Sequence, residues 1–218
     1  MEKKLTRDKV FYAFAPDLEP VLNVQQGEEF TLETHDCFTG QLKSENDLLD
    51  GLDWDRVNPA TGPVFIDNVN PGDVLRVDLL KVKVVDQASM VTFPGEGVRG
   101  ATITQMETAI LKYKGDHVIF KNKISIPMAP MVGVIGVAPD EGKIPNGEPA
   151  AHGGNMDCTL ITEGTSVYFT ANVPGALFGC GDFHAVMGDG EIVICGAETP
   201  GEIHLKAQVI PELKGLST

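Results

Sequence analysis

Asp182, His184, Asp189 and Glu191 fall within ten positions of one another in Gly175-Ala-Leu-Phe-Gly-Cys-Gly-Asp-Phe-His-Ala-Val-Met-Gly-Asp-Gly-Glu191, interleaved with five glycines. In an extended segment Asp182 and His184 share a face, because side chains alternate along a strand. A histidine nitrogen beside a carboxylate oxygen suits zinc or a similar divalent ion, and an open coordination position brings the pKa of bound water near neutrality. Two other stretches offer groups of the same kind, His35-Asp36 and His152-Gly-Gly-Asn-Met-Asp157. Asp36, Asp182 and His184 are the candidate metal ligands. Glu191 or Asp157 is the candidate general base, His152 a further catalytic candidate, and Asn155 or the amides of Gly153 and Gly154 would polarise a carbonyl oxygen. The competing reading is structural, since clusters of Asp and Gly more often build turns than active sites.

The elements that must position these groups read as strands. Val10 to Phe14, Val21 to Val24 and Glu29 to Glu33 are short strand candidates, and the third runs directly into His35-Asp36. Asn70-Pro71-Gly72-Asp73 carries the signature of a type II turn between two strands, the second extending from Val74 to Val85. The glycine-rich loop at 93–100 is followed by two or three short strands over 101–126. Pro127 to Pro139 is apolar throughout, as a segment buried on both faces should be. Thr165 to Val173 and Ile203 to Ile210 alternate again. Gly188 and Gly190 predict a tight turn, with Glu191-Ile-Val-Ile-Cys195 as the returning strand of a hairpin. Leu48, Leu49 and Leu52 suggest a short helix or ordered loop within 43–58. Strands dominate and no amphipathic helix of ten or more residues is visible, so the expected class is mainly β, a β-sandwich or distorted barrel with few short helices. The 218 residues suit a single domain, with 90–100 as the candidate boundary if there are two subdomains.

Seventeen basic against thirty-one acidic residues give a formal charge of −14, which argues against nucleic acid or an anionic membrane as partner. The start of the chain lacks the apolar run of a signal peptide, and no stretch approaches the ~20 apolar residues of a membrane span, so a cytoplasmic protein is expected. Cys37, Cys158, Cys180 and Cys195 form no C-x-x-C pair and read as reduced, mostly buried thiols. Trp54 reads as a ring packed over the core, His117 as a turn residue without function, and His204 as structural.

Ala60 to Leu75, Pro130 to Pro139, His152 to Asp157 and Val173 to Glu191 together resemble the acetamidase/formamidase family, in one order along almost the whole chain. The resemblance implies hydrolysis of a small amide such as formamide or acetamide to the carboxylic acid and ammonia, on a β-rich fold, with a divalent metal in some relatives. It also gives candidate site status to Asp36, His152, Asp157, Asp182, His184 and Glu191, and more weakly to His35. A homo-oligomer acting on a small-molecule amide is expected. Family members continue past the strand that ends near Ile210, which puts the identity of the amide in question more than the chemistry. Other amidases use a nucleophile. There is no G-x-S-x-G elbow here, and Cys180 is the one thiol near a histidine that could serve. A non-catalytic protein binding a cation or amide on the same fold is the remaining alternative, whereas the histidine and glutamate spacing of a cupin is absent.

Overall fold

The computed structural model describes residues 3–85 and 87–214. Two sheets face each other across the main core. The smaller has five strands in the order Lys3–Leu5, Glu29–Thr34, Gly201–Val209, Val74–Val84 and Ser166–Thr170. The larger has eleven strands, and its central member is Phe178–His184. Phe30, Leu32, Leu75, Val77, Leu79, Ile203 and Leu205 from the first sheet meet Val64, Ile66, Val132, Ile135, Phe178 and Phe183 from the second, all of them buried. The class is mainly β, as the sequence predicts, and the sheets stay open instead of closing into a barrel. Short 3₁₀ turns are the only helical elements among the described residues, two of them, Leu49–Gly51 and Trp54–Arg56, in the 43–58 stretch. No helix among these residues is long and apolar enough to cross a membrane.

Local chemistry accounts for most of the elements. Met131–Gly136 is buried along its whole length, which is what its unbroken apolar run requires. At Asn70-Pro-Gly-Asp73 the Asn70 carbonyl accepts from the Asp73 amide at 3.0 Å, and Gly72 takes the positive φ of 84° that the turn demands. Gln87–Thr92 and Glu107–Lys114 are joined through the glycine-rich loop as antiparallel neighbours in one sheet. His117 opens the strand His117–Phe120 at the surface, outside the Gly115-Asp116 turn. Trp54 departs from its expected place: it is 54% exposed, held on a one-turn helix outside the core.

Phe178–His184 changes partners halfway. Phe178 and Cys180 pair with Val64 and Thr61, whereas Phe183 and His184 pair with Thr199 and Glu198; Met131–Gly136 runs along the other edge. At the change of partner Asp182 adopts φ 57°. A non-glycine residue held in this left-handed region costs on the order of 1–3 kcal/mol and persists only where its surroundings impose it. It also interrupts the alternation, so that Phe178, Cys180 and Phe183 all enter the main core while Asp182 and His184 turn to one another.

The predicted hairpin over 182–195 does not form. Residues 191–194 make turns, with Glu191 at φ 36° and Ile194 at φ 92°, and the Ile194 amide donates to the Glu191 carbonyl at 2.8 Å. The returning strand is Glu198–Thr199, reached through a wide loop closed by Ala185 N–H to Ala197 O and Ala197 N–H to Val186 O. The β propensity of Ile192-Val-Ile194 gives way to a backbone path that brings the Glu191 carboxylate in beside Asp157.

Candidate active site

The strand ends and the wide loop bring four carboxylates around one imidazole. His184 Nε2 lies 3.1 Å from Glu198 Oε2, 3.4 Å from Asp182 Oδ1 and 3.8 Å from Asp157 Oδ1. The Asp157, His184 and Glu191 ligand atoms lie within 4.8 Å of one another, and so do those of Cys37, Asp182 and Glu198. Asp182, His184 and Glu198 are almost completely buried, and Asp157 is partly so. Asp157 Oδ1, Asp182 Oδ1 and Glu198 Oε2 are buried without a hydrogen-bond partner, an expensive condition for a carboxylate. Among the described residues, no lysine or arginine forms an ion pair with any of the four acids.

Two glycines make room for this crowding. A Cβ on Gly133 would meet Asp157 Oδ1 at 2.7 Å and Asp182 Oδ2 at 3.1 Å, and one on Gly196 would meet His184 Nδ1 at 2.7 Å. The Glu198 carboxylate is oriented by the Gly196 amide, which donates to Oε1 at 2.9 Å, leaving Oε2 for His184.

The electrostatics follow from the crowding. Burial, then the charge of Asp182, pushes the Asp157 carboxyl up to about 6 against the pull of His184, Glu191 and Asn155. Burial and Asp157 push Glu191 up to about 7. Glu198 is pushed up to about 8, burial again leading, with His184 opposing and Asp182 adding to it. Burial works against charge on His184, but Glu198 and Asp182 outweigh it and hold the ring well above the usual imidazole range. One imidazolium offsets one carboxylate, and the others remain short of positive charge.

The structure separates the predicted site residues into two groups. Asp182, His184, Asp157 and Glu191 assemble, and Asn155 is close enough to help draw the Asp157 carboxyl down. Asp36 belongs to neither set of converging ligand atoms, so the triad of Asp36, Asp182 and His184 does not close. Its Oδ1 accepts from the Phe38 and Gly40 amides at 2.9 and 3.1 Å, the turn-building role that Asp commonly has; it lines a small cavity of about 190 Å³ together with Glu198, and burial, helped by the charge of Asp182, raises its pKa. His35 is half-buried beside it, with its pKa lowered by burial. His152 is not brought to the cluster either. Its carbonyl bonds the Val137 amide and its ring meets Phe14 edge-on at 5.0 Å, about four residues along the strand from Gly133, on the order of 13 Å. The Gly153 amide is taken by Ala150 O and cannot polarise a carbonyl. Cys180 is fully buried in the apolar core, where burial pushes its thiol up, the opposite of what a nucleophile needs.

Glu198 and Cys37 are the site residues that sequence reasoning misses. Glu198 has one visible signal, a lone acid ending the apolar run Ile192-Val-Ile-Cys-Gly-Ala197, where burial should have been suspected. Cys37 has none.

The family model for acetamidase/formamidase matches residues 1–146 and 141–216. The chain belongs to the acetamidase/formamidase family. Family membership is mirrored in solved structures. The fold superposes on a predicted acetamidase/formamidase from the thermophile Thermoanaerobacter tengcongensis with a TM-score of 0.94 and 45% identity, over 100% of this chain and 71% of that one. It superposes on an acetamidase from Bacillus halodurans with a TM-score of 0.93 and 40% identity, over 94% and 70%. The formamidase of Methylophilus methylotrophus is 26% identical over 257 residues, and the match covers 90% of this chain but 63% of that protein. The curated relatives are thus matched over less than two thirds of their length.

Proposed function

We propose that this chain hydrolyses a small linear amide of the formamide or acetamide type to the carboxylic acid and ammonia, assisted by a divalent cation, zinc by preference. The observation that carries the reading is the set of three unpartnered buried carboxylate oxygens converging on His184 Nε2 at 3.1–3.8 Å. Ligands about 2.0–2.1 Å from a tetrahedral zinc stand about 3.3 Å apart, and Glu198 Oε2 and Asp182 Oδ1 stand at 3.1 and 3.4 Å from His184 Nε2, close to that spacing. Asp182, His184, Glu198 and Asp157 would hold it, with Asp36, whose Oδ1 accepts from its own turn, outside this set. The bound ion would supply Lewis acidity toward the amide carbonyl and a more acidic water.

The chain's own groups supply the rest. Glu191, raised to about 7, is suited to take the proton of the attacking water and return it to the departing nitrogen. The water oxygen bonds to the carbonyl carbon, the C–N bond breaks, and the nitrogen leaves as ammonia. Burial of Asp182 and Glu198 excludes competing water and strengthens each charge.

The test is ammonia release from formamide and acetamide before and after chelation, with zinc added back. Chelator-sensitive release that zinc restores and Glu191→Gln suppresses is expected. Release indifferent to the chelator would remove the cation from the scheme, and no release from either amide would count against the assignment itself.

A further inference from the structure

Glu191 has two neighbourhoods, and the chemistry above uses one. On its other side an apolar cavity of about 460 Å³ lies between the 185–197 loop and the strands Gln87–Thr92, Glu107–Lys114, His117–Phe120 and Ile124–Pro127. Leu111, Val118, Ile126, Val186, Met187 and Ile192 line it, and among the described residues the only charged side chains in its wall are Asp189 and Glu191. Asp189 is held by the Thr159 hydroxyl at 2.8 Å, which leaves Glu191 as the group shared with the acid cluster. Met187 makes a second connection, since it lines the cavity while its sulfur lies 3.2 Å from His184 Nδ1. Gly196 makes a third, touching His184 and opening on the cavity.

The cavity falls within the ~300–1,000 Å³ range of pockets that enclose whole organic ligands. Formamide has no carbon chain to place in it, and acetamide a single methyl. We propose that this cavity is the acyl subsite and that the preferred substrates are primary amides with an apolar acyl group, a medium-length aliphatic chain or an aromatic ring, the amide lying at Glu191 and the hydrocarbon against Val118 and Ile126. The inference rests on the amidase reading and extends it to substrate class. Each methylene buried is worth a roughly three- to fourfold gain in kcat/KM, so the preference should build steadily with chain length.

The experiment measures kcat/KM for formamide, acetamide, butyramide, hexanamide and benzamide on the native protein and on Ile126→Trp, which fills the cavity from the strand remote from the acids. Ile192→Trp, at an exposed rim position, serves if the first variant does not fold. Binding of hexanamide is followed in parallel by calorimetry. The proposal expects values that rise along the aliphatic series, at least tenfold from acetamide to hexanamide. It also expects the ratio of kcat/KM on hexanamide to that on acetamide to fall tenfold or more in the filled variant. Acetamide cleaved as well as hexanamide, with the filled variant indifferent, overturns the subsite and leaves the amidase reading standing. Hexanamide that binds uncleaved, loses binding in Ile126→Trp and is accompanied by no release from formamide or acetamide supports the cavity and overturns the amidase reading; hexanamide neither bound nor cleaved overturns the subsite, and overturns the amidase reading as well only if formamide and acetamide are also uncleaved.

Discussion

Glu198 and Glu202 stand four residues apart in the chain and meet opposite fates. Glu202, on the strand Gly201–Val209, lies 2.7 Å from Lys4 Nζ and 2.9 Å from Lys83 Nζ, with a side chain 25% exposed. Hydrogen bonds from Lys4 and then Lys83 draw its carboxyl down to about 2. Glu198 is fully buried, has His184 as its one cationic neighbour among the described residues, and is pushed up to about 8. The chain thus supplies cations where water could have done so and withholds them where water is excluded. A fold that wanted only stability would have reversed the arrangement, because unpaired buried charge is costly and an exposed ion pair contributes little. The difference is what supports placing the proposed cation in the Asp182–Glu198 region.

The sharpest break in that comparison comes from Glu198→Gln, which keeps shape and removes the ability to ionise and hold a cation. Ammonia release should fall by about 100-fold or more, as for loss of a group that holds or orients a catalytic ion, while the melting temperature holds or rises as like-charge crowding is relieved. A comparable loss of melting temperature with full activity would reverse the roles assigned to the two glutamates. Gly133→Ala comes next. Its methyl would press on Asp157 Oδ1 and Asp182, so activity should drop roughly tenfold while overpacking costs about 1–3 kcal/mol of stability by urea denaturation. Unchanged kinetics would show that the close approach of the two carboxylates is incidental.

Glu202→Gln should be mild, a fall in melting temperature of no more than about 2–4 °C with full activity. The smallest effect is its pH dependence. The folded carboxyl at about 2 lies below its ordinary value of 4.5, so its contribution is fully present above about pH 4.5 and is lost as pH falls through about 2. The stability difference between the native protein and Glu202→Gln should therefore shrink as the solution is acidified across that window. A difference that grows on acidification would contradict the pairing with Lys4 and Lys83.

These contrasts show how far the sequence could be followed. Period-two alternation and the Asn70-Pro-Gly-Asp73 turn placed the strands, because both are local signals. The same local rules failed at Ile192-Val-Ile194, where propensity for a strand was overridden by the need to bring Glu191 in beside Asp157. They failed again at Trp54, which has the size of a core residue but sits on a surface turn. Asp182 and His184 were legible as a pair because two-residue spacing makes them neighbours on any strand. Asp36 and His152 carry the right chemistry, yet whether they reach the site depends on pairing between distant strands, and the register sends His152 to the far end of Met131–Gly136. Glu198 went unseen for the same reason in reverse, since only its pairing with His184 makes it part of the site.

The most direct test of the acid cluster as the reacting centre is Asp182→Asn, with zinc content and ammonia release measured on the same preparation beside the native protein. The account predicts that both are lost together while the fold is kept. Native zinc content and native activity in the variant would contradict it.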